Sequence, residues 1–352
     1  MLRKLLDKSE IIVAIGVYDA LTAKLVEKAG FKVGFVSGYG VSASLGMPDM
    51  GLMSVTELLT HVEKMVMSTS IPFIVDCDTG YGGLINTVRT LSDFQRIGAA
   101  GIEIEDQEMP KKCAWMTGKR VVPTEEMLAK IKTADKIRNE LDKDFLIIAR
   151  TDATESYGLD EAIRRSNAYA EAGADMVTTM GNLPMDEFKR YIGSVSAPVT
   201  LVAGTPGMPT NQFSVEELER MGVRMIVFST SLIRIAARAV LGLLEGLKTK
   251  RHVRDFLDRM STNPEFNEWM GVRRYYEIEK KYLLLGKDLK AQMISLMKPD
   301  MKLEEVIEVT KTVYGWTYDQ VAAASYYHAL CLQLGWSVPP WVRKFRTKAR
   351  RQ

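Results

Sequence analysis

The chain has 352 residues, of which 46% are hydrophobic and 26% are charged, with 26 glycines and 12 prolines. This composition is that of an ordinary folded protein and excludes a disordered, collagen-like or disulfide-stapled chain. The 47 basic and 44 acidic residues leave a formal charge of only +3, which does not indicate a nucleic-acid partner.

The sequence also bears on the cellular compartment. Its three cysteines lie far apart, which favours a reducing compartment over secretion. The opening MLRKLLDKSE has no apolar stretch long enough for a signal peptide. The most apolar later stretch, residues 225–243, is interrupted by Arg234 and Arg238, so we expect no membrane span. These features predict a cytoplasmic protein of enzyme size.

Eight short apolar runs alternate with amphipathic helical segments through about the first 250 residues. Each run is nearly continuous in apolar residues, as is typical of parallel strands covered on both faces. The runs are residues 11–17, 32–37, 72–78, 101–106, 145–151, 175–180, 198–203 and 223–229. Eight strands, each followed by a helix, predict a closed (β/α)8 TIM barrel. An open doubly wound sheet is the alternative, but the chain has no G-x-G-x-x-G motif and no P-loop.

Several helix starts can be predicted from local chemistry. Ser54 with Glu57, and Ser214 with Glu217, fit the capping box, in which a hydroxyl and a carboxylate satisfy free backbone donors at a helix N-terminus. Asp19 is placed to cap the helix that follows the first predicted strand.

The pattern changes near residue 250. Residues 251–342 predict a helical C-terminal extension without strands, interrupted at Asn263-Pro264 and Pro339-Pro340. Residues 343–352 carry six basic side chains and no acid. We interpret them as a solvated basic tail, with a weak electrostatic anchor for RNA or anionic lipid as the alternative. The expected domains are a catalytic barrel (1–250), the extension (251–342) and the tail (343–352).

Charged side chains follow the predicted strands at the end of the barrel where such folds carry their reacting groups. Asp76 and Asp78 lie two apart, so both carboxylates face the same way. With Glu105 they form an oxygen-rich cluster suited to Mg²⁺ or Mn²⁺. The alternative is a structural role, in which these acids bond only to backbone and arginine. Glu103, Asp106 and Asp152 also end strands but receive no assigned role.

Two arginines and one cysteine complete the candidate site. Arg150 and Arg234 are suited to hold substrate carboxylates, because a planar guanidinium matches them. Cys113 lies in a basic loop after the fourth predicted strand. Neighbouring lysines favour its thiolate, whereas the apolar ring of Trp115 opposes ionisation, and the sequence leaves the balance open. With only three histidines, all in helical contexts, the usual zinc and Ser-His patterns are excluded.

Several long motifs occur together in one order: VYDALTAKLVEKAGF, FVSGYGVSASLGMPDMG, VDCDTGYGG, GIEIEDQEMPKKC, IIARTDA and the neighbourhood of Arg234. Through them, roughly residues 8–245 resemble the isocitrate lyase/phosphoenolpyruvate mutase superfamily, most of all its 2-methylisocitrate lyase and dimethylmalate lyase branch. The resemblance implies a Mg²⁺-dependent carbon–carbon lyase. Such an enzyme cleaves a 2-hydroxy di- or tricarboxylate, of the malate or methylisocitrate type, to a 2-oxo acid and a shorter carboxylate.

The resemblance also implies individual roles. The residues expected to bind metal are Asp76 and Asp78, supported by Asp49 and Glu105. The residues expected to contact the substrate are Ser37, Gly38, Tyr39, Asp78, Ala114, Arg150 and Arg234. The predicted catalytic residues are Cys113, Arg150 and Glu105, with Cys113 as the general acid/base on a mobile loop. The resemblance further implies a homo-oligomer, a tetramer built as a dimer of dimers, in which residues 251–338 contribute contacts between chains.

The chain departs from the lyase pattern in three segments. Ala114 and Trp115 replace Gly-His beside the cysteine, Met180 replaces a glutamate after the sixth strand, and Val202 aligns approximately with an asparagine. Each change removes a polar group from the mouth of the barrel, which favours a smaller or more apolar substrate. The alternatives are an oxaloacetate-type decarboxylase or hydrolase, phosphonopyruvate-type mutase or hydrolase chemistry, and a non-catalytic barrel for binding or assembly.

Overall fold

The computed structural model describes residues 2–8, 10–181, 183–314 and 320–342, and within them the side chains of 284–287, 321 and 322 are not described. The predicted basic tail, 343–352, lies outside the described residues. The chain forms two compact units, residues 1–262 and 263–352.

The first unit is a closed barrel of eight parallel strands in sequential order, and β8 pairs with β1 through Ile12 and Met225. The strands are β1 Ile12–Val17, β2 Val33–Val36, β3 Phe73–Asp76, β4 Gly101–Glu105, β5 Leu146–Thr151, β6 Met176–Thr179, β7 Val199–Val202 and β8 Val223–Phe228. The predicted (β/α)8 barrel is therefore confirmed.

Helices surround this barrel. They are α1 Leu2–Leu6, α2 Ala20–Lys28, α3 Gly38–Ser44, α4 Val55–Ser68, α5 Leu84–Arg96, α6 Thr124–Leu141, α7 Thr154–Glu171, α8 Met185–Ser194, α9 Val215–Arg220 and α10 Ser231–Lys250. Short 3-10 turns cover Pro209–Gln212 and Arg254–Arg259. Both predicted capping boxes form, at the starts of α4 and α9, and Asp19 caps α2. Helix α7 is broken at Gly158, whose φ is 81°.

The two-residue period of the strands separates two apolar layers. Phe35, Ile74 and Ile148 belong to one buried cluster, built chiefly from alternate strand residues inside the barrel. Val36, Val75 and their equivalents on the other strands pack beneath the helices. On β3, Asp76 and Ile74 share a direction, as do Arg150 and Ile148 on β5. The polar side chains at these strand ends are therefore directed over the top of the barrel interior.

The second unit is the helical C-terminal extension, made of α11 Asn263–Met270, α12 Val272–Leu296, α13 Leu303–Tyr314 and α14 Gln320–Leu334. It has a core of its own, in which Met293, Val306 and Tyr327 are fully buried and Tyr327 stacks on Trp341 with the ring centroids 5.7 Å apart.

The division between the two units falls after Thr262, whereas the domain boundary was expected at residue 250. The intervening 3-10 turn belongs to the first unit because Phe256 packs against α10 at Gly246, where a Cβ atom would lie 2.5 Å from the ring. Across the described ranges, no helix combines the length and the apolar character needed to cross a bilayer.

Candidate active site

A narrow cavity of about 50 Å³ opens at the carboxyl ends of the strands. It collects most of the residues that the sequence selected, and its lining comes from the ends of seven strands, β2 to β8, and from two loops. Its lining comprises Phe35, Ser37, Tyr39, Asp49, Asp76, Glu103, Cys113, Ala114, Trp115, Arg150, Met180, Val202, Ser229 and Thr230. Four predicted residues, Gly38, Asp78, Glu105 and Arg234, do not line the cavity and contact residues that do.

The backbone around Gly38 holds Asp76 in place. Strand β2 ends at Val36, and the Ser37 hydroxyl caps α3 by accepting a hydrogen bond from Gly40 N–H at 3.2 Å. Gly38 N–H donates to Asp76 Oδ2 at 3.3 Å, and a Cβ at position 38 would lie only 3.0 Å from that oxygen. Asp78 N–H donates to the other oxygen at 3.2 Å. Two backbone donors therefore fix this carboxylate, and glycine permits the close approach.

Behind the cavity lies a dense acidic cluster. Asp78 has a left-handed backbone, with φ of 47°, and its Oδ1 lies 2.6 Å from Lys111 Nζ. The same ammonium also pairs with Asp49. Burial raises the pKa of Asp78 to about 6, with Lys111 opposing the shift. Burial, reinforced by Asp76, raises the pKa of Glu103 to about 8.

The guanidinium of Arg150 is held by the carboxylate of Asp152, a residue to which the sequence assigned no role. Its Nε and Nη2 donate to the two oxygens of Asp152 at 2.8 and 3.1 Å, and Nη2 also lies 3.0 Å from Glu105 Oε2. Asp152 N–H donates in turn to Asp106, which also accepts from Arg165 and Tyr169. The two-residue spacing of Arg150 and Asp152 in the sequence is compatible with this pairing, but only the fold shows which acid faces which arginine.

Cys113 faces the cavity from the loop between β4 and α6. Its N–H donates to the backbone oxygen of Asp49 at 3.0 Å, and the residue is 7% exposed. Burial raises the pKa of the thiol and outweighs the backbone donor of Trp115 and the charges of Arg150 and Lys111. Desolvation is thus the largest of the influences whose balance the sequence left open, and the charge of Asp49 adds to it.

Arg234 takes a more distant position than expected. Its Nε donates to Thr230 Oγ1 at 3.0 Å, and its guanidinium lies 5.1 Å from the centroid of the Tyr39 ring. Both contacted residues line the cavity. The cation–π contact orients Tyr39 and places positive charge at the rim.

The acids can be tested for a fit to a divalent cation. In the part of the chain that the structure describes, six carboxylates lie around two cations, Lys111 and Arg150; they belong to Asp49, Asp76, Asp78, Glu103, Glu105 and Asp152. Within the described ranges, Glu103 Oε2 and Glu105 Oε1 are buried without a hydrogen-bond partner. No group of three or more acids, histidines or cysteines among the described residues converges in a metal-holding arrangement, since Lys111 occupies the space between Asp49 and Asp78. Although these oxygens do not converge in this structure, the two unpartnered oxygens and the excess of acidic groups over cations match the ligand chemistry of a hard divalent ion.

The barrel and the charged residues at its strand ends are those of one enzyme superfamily. The chain belongs to the phosphoenolpyruvate phosphomutase family, whose sequence profile matches residues 2–248, and the resemblance to the isocitrate lyase/phosphoenolpyruvate mutase superfamily is confirmed. The superfamily includes lyases. Its members act on several different substrates.

The relatives narrow the comparison further. The chain is 39% identical over 282 residues to 2,3-dimethylmalate lyase of Eubacterium barkeri, covering 80% of this chain and 96% of that protein. A solved structure of oxaloacetate acetylhydrolase with 3,3-difluorooxalacetate superposes with a TM-score of 0.76 at 32% identity, over 80% of this chain and 95% of that one. Phosphonopyruvate hydrolase with oxalate and Mg²⁺ superposes with a TM-score of 0.73 at 30% identity, over 80% and 98%.

Proposed function

We propose that the protein is a Mg²⁺-dependent carbon–carbon lyase that cleaves a 2-hydroxy dicarboxylate of the malate type, with apolar substituents, to a 2-oxo acid and a shorter carboxylate. The observation that carries this proposal is the position of Cys113. The thiol, whose pKa is raised by burial, faces the same small cavity as Arg150 and Asp76. A lyase of this kind needs an acid that protonates a carbanion inside a site closed to water.

In the cleavage direction, the proton of the 2-hydroxyl group passes to a carboxylate of the cavity wall. Glu103 is suited to accept it, because it lines the cavity and its Oε2 has no hydrogen-bond partner among the described residues. The C2–C3 bond then breaks, C2 becomes the carbonyl carbon of the 2-oxo acid, and the electron pair remains on C3 next to the second carboxylate.

Cys113 completes the reaction by giving its thiol proton to C3. Arg150, held by Asp152 and Glu105, binds a substrate carboxylate and stabilises the negative charge of the departing fragment. Glu105 does not line the cavity. We therefore place its action on Arg150 and in support of the metal.

Asp76 and Asp78 are the residues that we propose hold Mg²⁺, with Asp49 and Glu105 in support. When bound, the ion supplies positive charge that stabilises the charge developing on the substrate. Ser37, Gly38 and Tyr39 contribute the donors of the β2–α3 turn, and Arg234 contributes through Tyr39.

The substrate's side chain is proposed from the lining. Phe35, Trp115, Met180 and Val202 present apolar surface to the cavity. A third carboxylate on the substrate would have no cation to pair with among these four side chains, so the free-energy cost of removing it from water would not be offset. Alkyl groups on C2 or C3 of a malate would instead be favourably buried.

One relative motivates a second candidate. The superposition on oxaloacetate acetylhydrolase favours hydrolysis of an oxaloacetate-type 2-oxo acid on the same barrel. The two reactions differ in how the C2–C3 bond is activated: the lyase needs a base that accepts the 2-hydroxyl proton, whereas the hydrolase needs a water molecule that attacks C2. Both leave an electron pair on C3 that must be protonated. The lyase proposal therefore predicts that 2-oxo acid is released from alkyl-substituted malates, and the hydrolase alternative predicts that oxalate and a carboxylate are released from oxaloacetates.

The deciding experiment is a substrate screen in the presence of Mg²⁺, followed by the variant Cys113→Ser. A serine hydroxyl is a far weaker acid than a thiol. Turnover of the lyase substrate should fall by about 10²–10⁴-fold, while binding of the 2-oxo acid product should stay nearly unchanged. Arg120→Gln, at an exposed position of the same loop, is the matched control. Near-normal turnover in Cys113→Ser would reject Cys113 as the acid, and release of oxalate from oxaloacetates without cleavage of any 2-hydroxy diacid would reject the lyase in favour of the hydrolase.

Assembly and location complete the proposal. Helix α10 has no buried side chain in the described structure, and Ile235, Leu241 and Leu244 are 67%, 52% and 54% exposed. Such an apolar face indicates contact with another chain. We propose a homo-oligomer, a dimer of dimers, in which this face is covered. All three cysteines are free thiols, which supports a cytoplasmic location.

A further inference from the structure

The loop that carries Cys113 is fastened at its base by the backbone. Gln107 and Val121 form an isolated antiparallel bridge, and Val122 N–H donates to Asp106 O at 2.8 Å. Between these points the chain makes a turn of irregular structure, with Cys113 near its tip. The position of the thiol therefore depends on side chains that hold the turn.

One of these side chains is Lys119, whose ammonium is buried inside the loop. Lys119 Nζ donates to the backbone oxygens of Ala114 at 2.9 Å and Met116 at 3.0 Å, which flank the turn immediately after Cys113. The side chain is only 3% exposed. A buried ammonium needs a counter-ion, and in this loop the counter-ion comes from outside.

That counter-ion is Glu155, in the first turn of α7. Its Oε2 lies 2.6 Å from Lys119 Nζ, and its Oε1 accepts from Gly118 N–H at 2.7 Å. These two hydrogen bonds, led by that of Lys119, hold the pKa of the Glu155 carboxyl below its usual value. Both oxygens of one carboxylate are thus bound to adjacent residues of the loop.

The position of Glu155 in the fold connects the Cys113 loop to the end of β5. Helix α7 follows β5, so Glu155 lies five residues after Arg150 and before the break at Gly158. The same short segment donates Ser156 Oγ to Lys119 O at 3.0 Å. The segment that directly follows Arg150 therefore also holds the loop that carries Cys113.

We propose that Lys119 and Glu155 form a clasp that fixes the Cys113 loop over the cavity, which makes them positioning residues for the proton transfer. This inference rests on the function proposed above for its effect on turnover, although the clasp itself can be tested without a substrate. Without the carboxylate, the ammonium loses its counter-ion and the turn behind Cys113 loosens. The thiol should then be exposed to solvent more often.

The test is the rate at which iodoacetamide alkylates Cys113 in the full-length protein, followed by peptide mass spectrometry so that the other cysteines do not interfere. Glu155→Ala should raise this rate by at least about tenfold. Glu155→Gln keeps an acceptor for Gly118 N–H but removes the charge, so its alkylation rate should lie between that of the parent protein and that of Glu155→Ala. The matched control is Glu108→Gln, which removes the exposed Glu108–Arg120 pair at the base of the same loop and should leave the rate unchanged.

A double-mutant cycle separates a clasp from general loosening. Lys119→Met and Glu155→Ala should each accelerate alkylation, and the double variant should be no faster than the faster single variant, because both remove one interaction. On the lyase substrate, Glu155→Ala should lower kcat by more than it changes KM. An unchanged alkylation rate in both Glu155 variants, or an equal rise in Glu108→Gln, would overturn the clasp. Faster alkylation in a protein that cleaves no 2-hydroxy diacid would support the clasp and reject only the lyase.

Discussion

Lys111 Nζ lies 2.6 Å from Asp78 Oδ1, at the centre of the carboxylates that we propose bind Mg²⁺. The same ammonium pairs with Asp49, and Lys111 is itself only 2% exposed. Since Lys111 precedes Cys113 by two residues, one short segment supplies both a cation for the acidic cluster and the thiol for the cavity. The cation beside the proposed metal site and the proposed acid therefore lie on the same short stretch of chain.

The first prediction concerns this pair. Asp78→Ala should abolish measurable Mg²⁺ binding, because it removes an anionic oxygen ligand. Lys111→Met should instead tighten Mg²⁺ binding by at least about tenfold, because it removes a competing positive charge from a buried site, where water screens charges poorly. Calorimetric titration of the substrate-free protein measures both. Asp93→Ala, which removes an acid on the outer surface of α5, is the control; equal Mg²⁺ affinity in Asp78→Ala and the parent would contradict the metal assignment.

The second prediction concerns the acidity of Cys113. Burial raises the pKa of its thiol, so the midpoint of alkylation rate against pH should lie above the ordinary cysteine value of about 8.5. The protonated form is the proposed acid. Lyase turnover should accordingly persist through neutral pH and fall as pH rises through that raised pKa. The same titration in urea, where burial is lost, should return the ordinary value. A midpoint near 7 in the folded protein would count against this environment.

The third prediction concerns specificity. Met180 is 7% exposed and lines the cavity after β6. Met180→Glu places a carboxylate there, so kcat/KM for alkyl-substituted malates should fall by about 10–200-fold, the range associated with losing favourable methylene contacts. Met180→Leu, which conserves volume and polarity, should leave kcat/KM nearly unchanged. If both variants have the same kcat/KM for the alkyl-substituted malate, Met180 does not contact the alkyl group of the substrate.

The fourth prediction concerns assembly. Combined Leu241→Glu and Leu244→Glu changes introduce charge into the exposed apolar face of α10, and light scattering should then show dissociation to smaller species. Met67→Glu, at an apolar residue on α4 that is 81% exposed, should keep the parent mass. A mass unchanged by the α10 substitutions would show that this face is not the contact between chains.

Particular residues show how far the sequence alone reaches. The pair Asp76 and Asp78 could be selected because two-residue spacing at a strand end is a local property, and the capping boxes at Ser54 and Ser214 could be predicted for the same reason. Asp152 and Glu155 were not recognised. Their partners, Arg150 and Lys119, are found only once strand register and loop path are known, since nothing in the spacing of acids and bases indicates which pairs meet.

By itself the sequence determined the closed eight-stranded barrel, the family, and the set of charged groups at one end of the strands. Alternating apolar runs and helix caps are encoded within a few residues of one another, and a parallel barrel brings all its strand ends to one face. Only the tertiary structure decided the direction of the pKa shift of Cys113, the place of Lys111 between Asp49 and Asp78, and the distance of Arg234 from the cavity. Those properties depend on desolvation and on charges a few ångströms away, which come from segments distant in the chain.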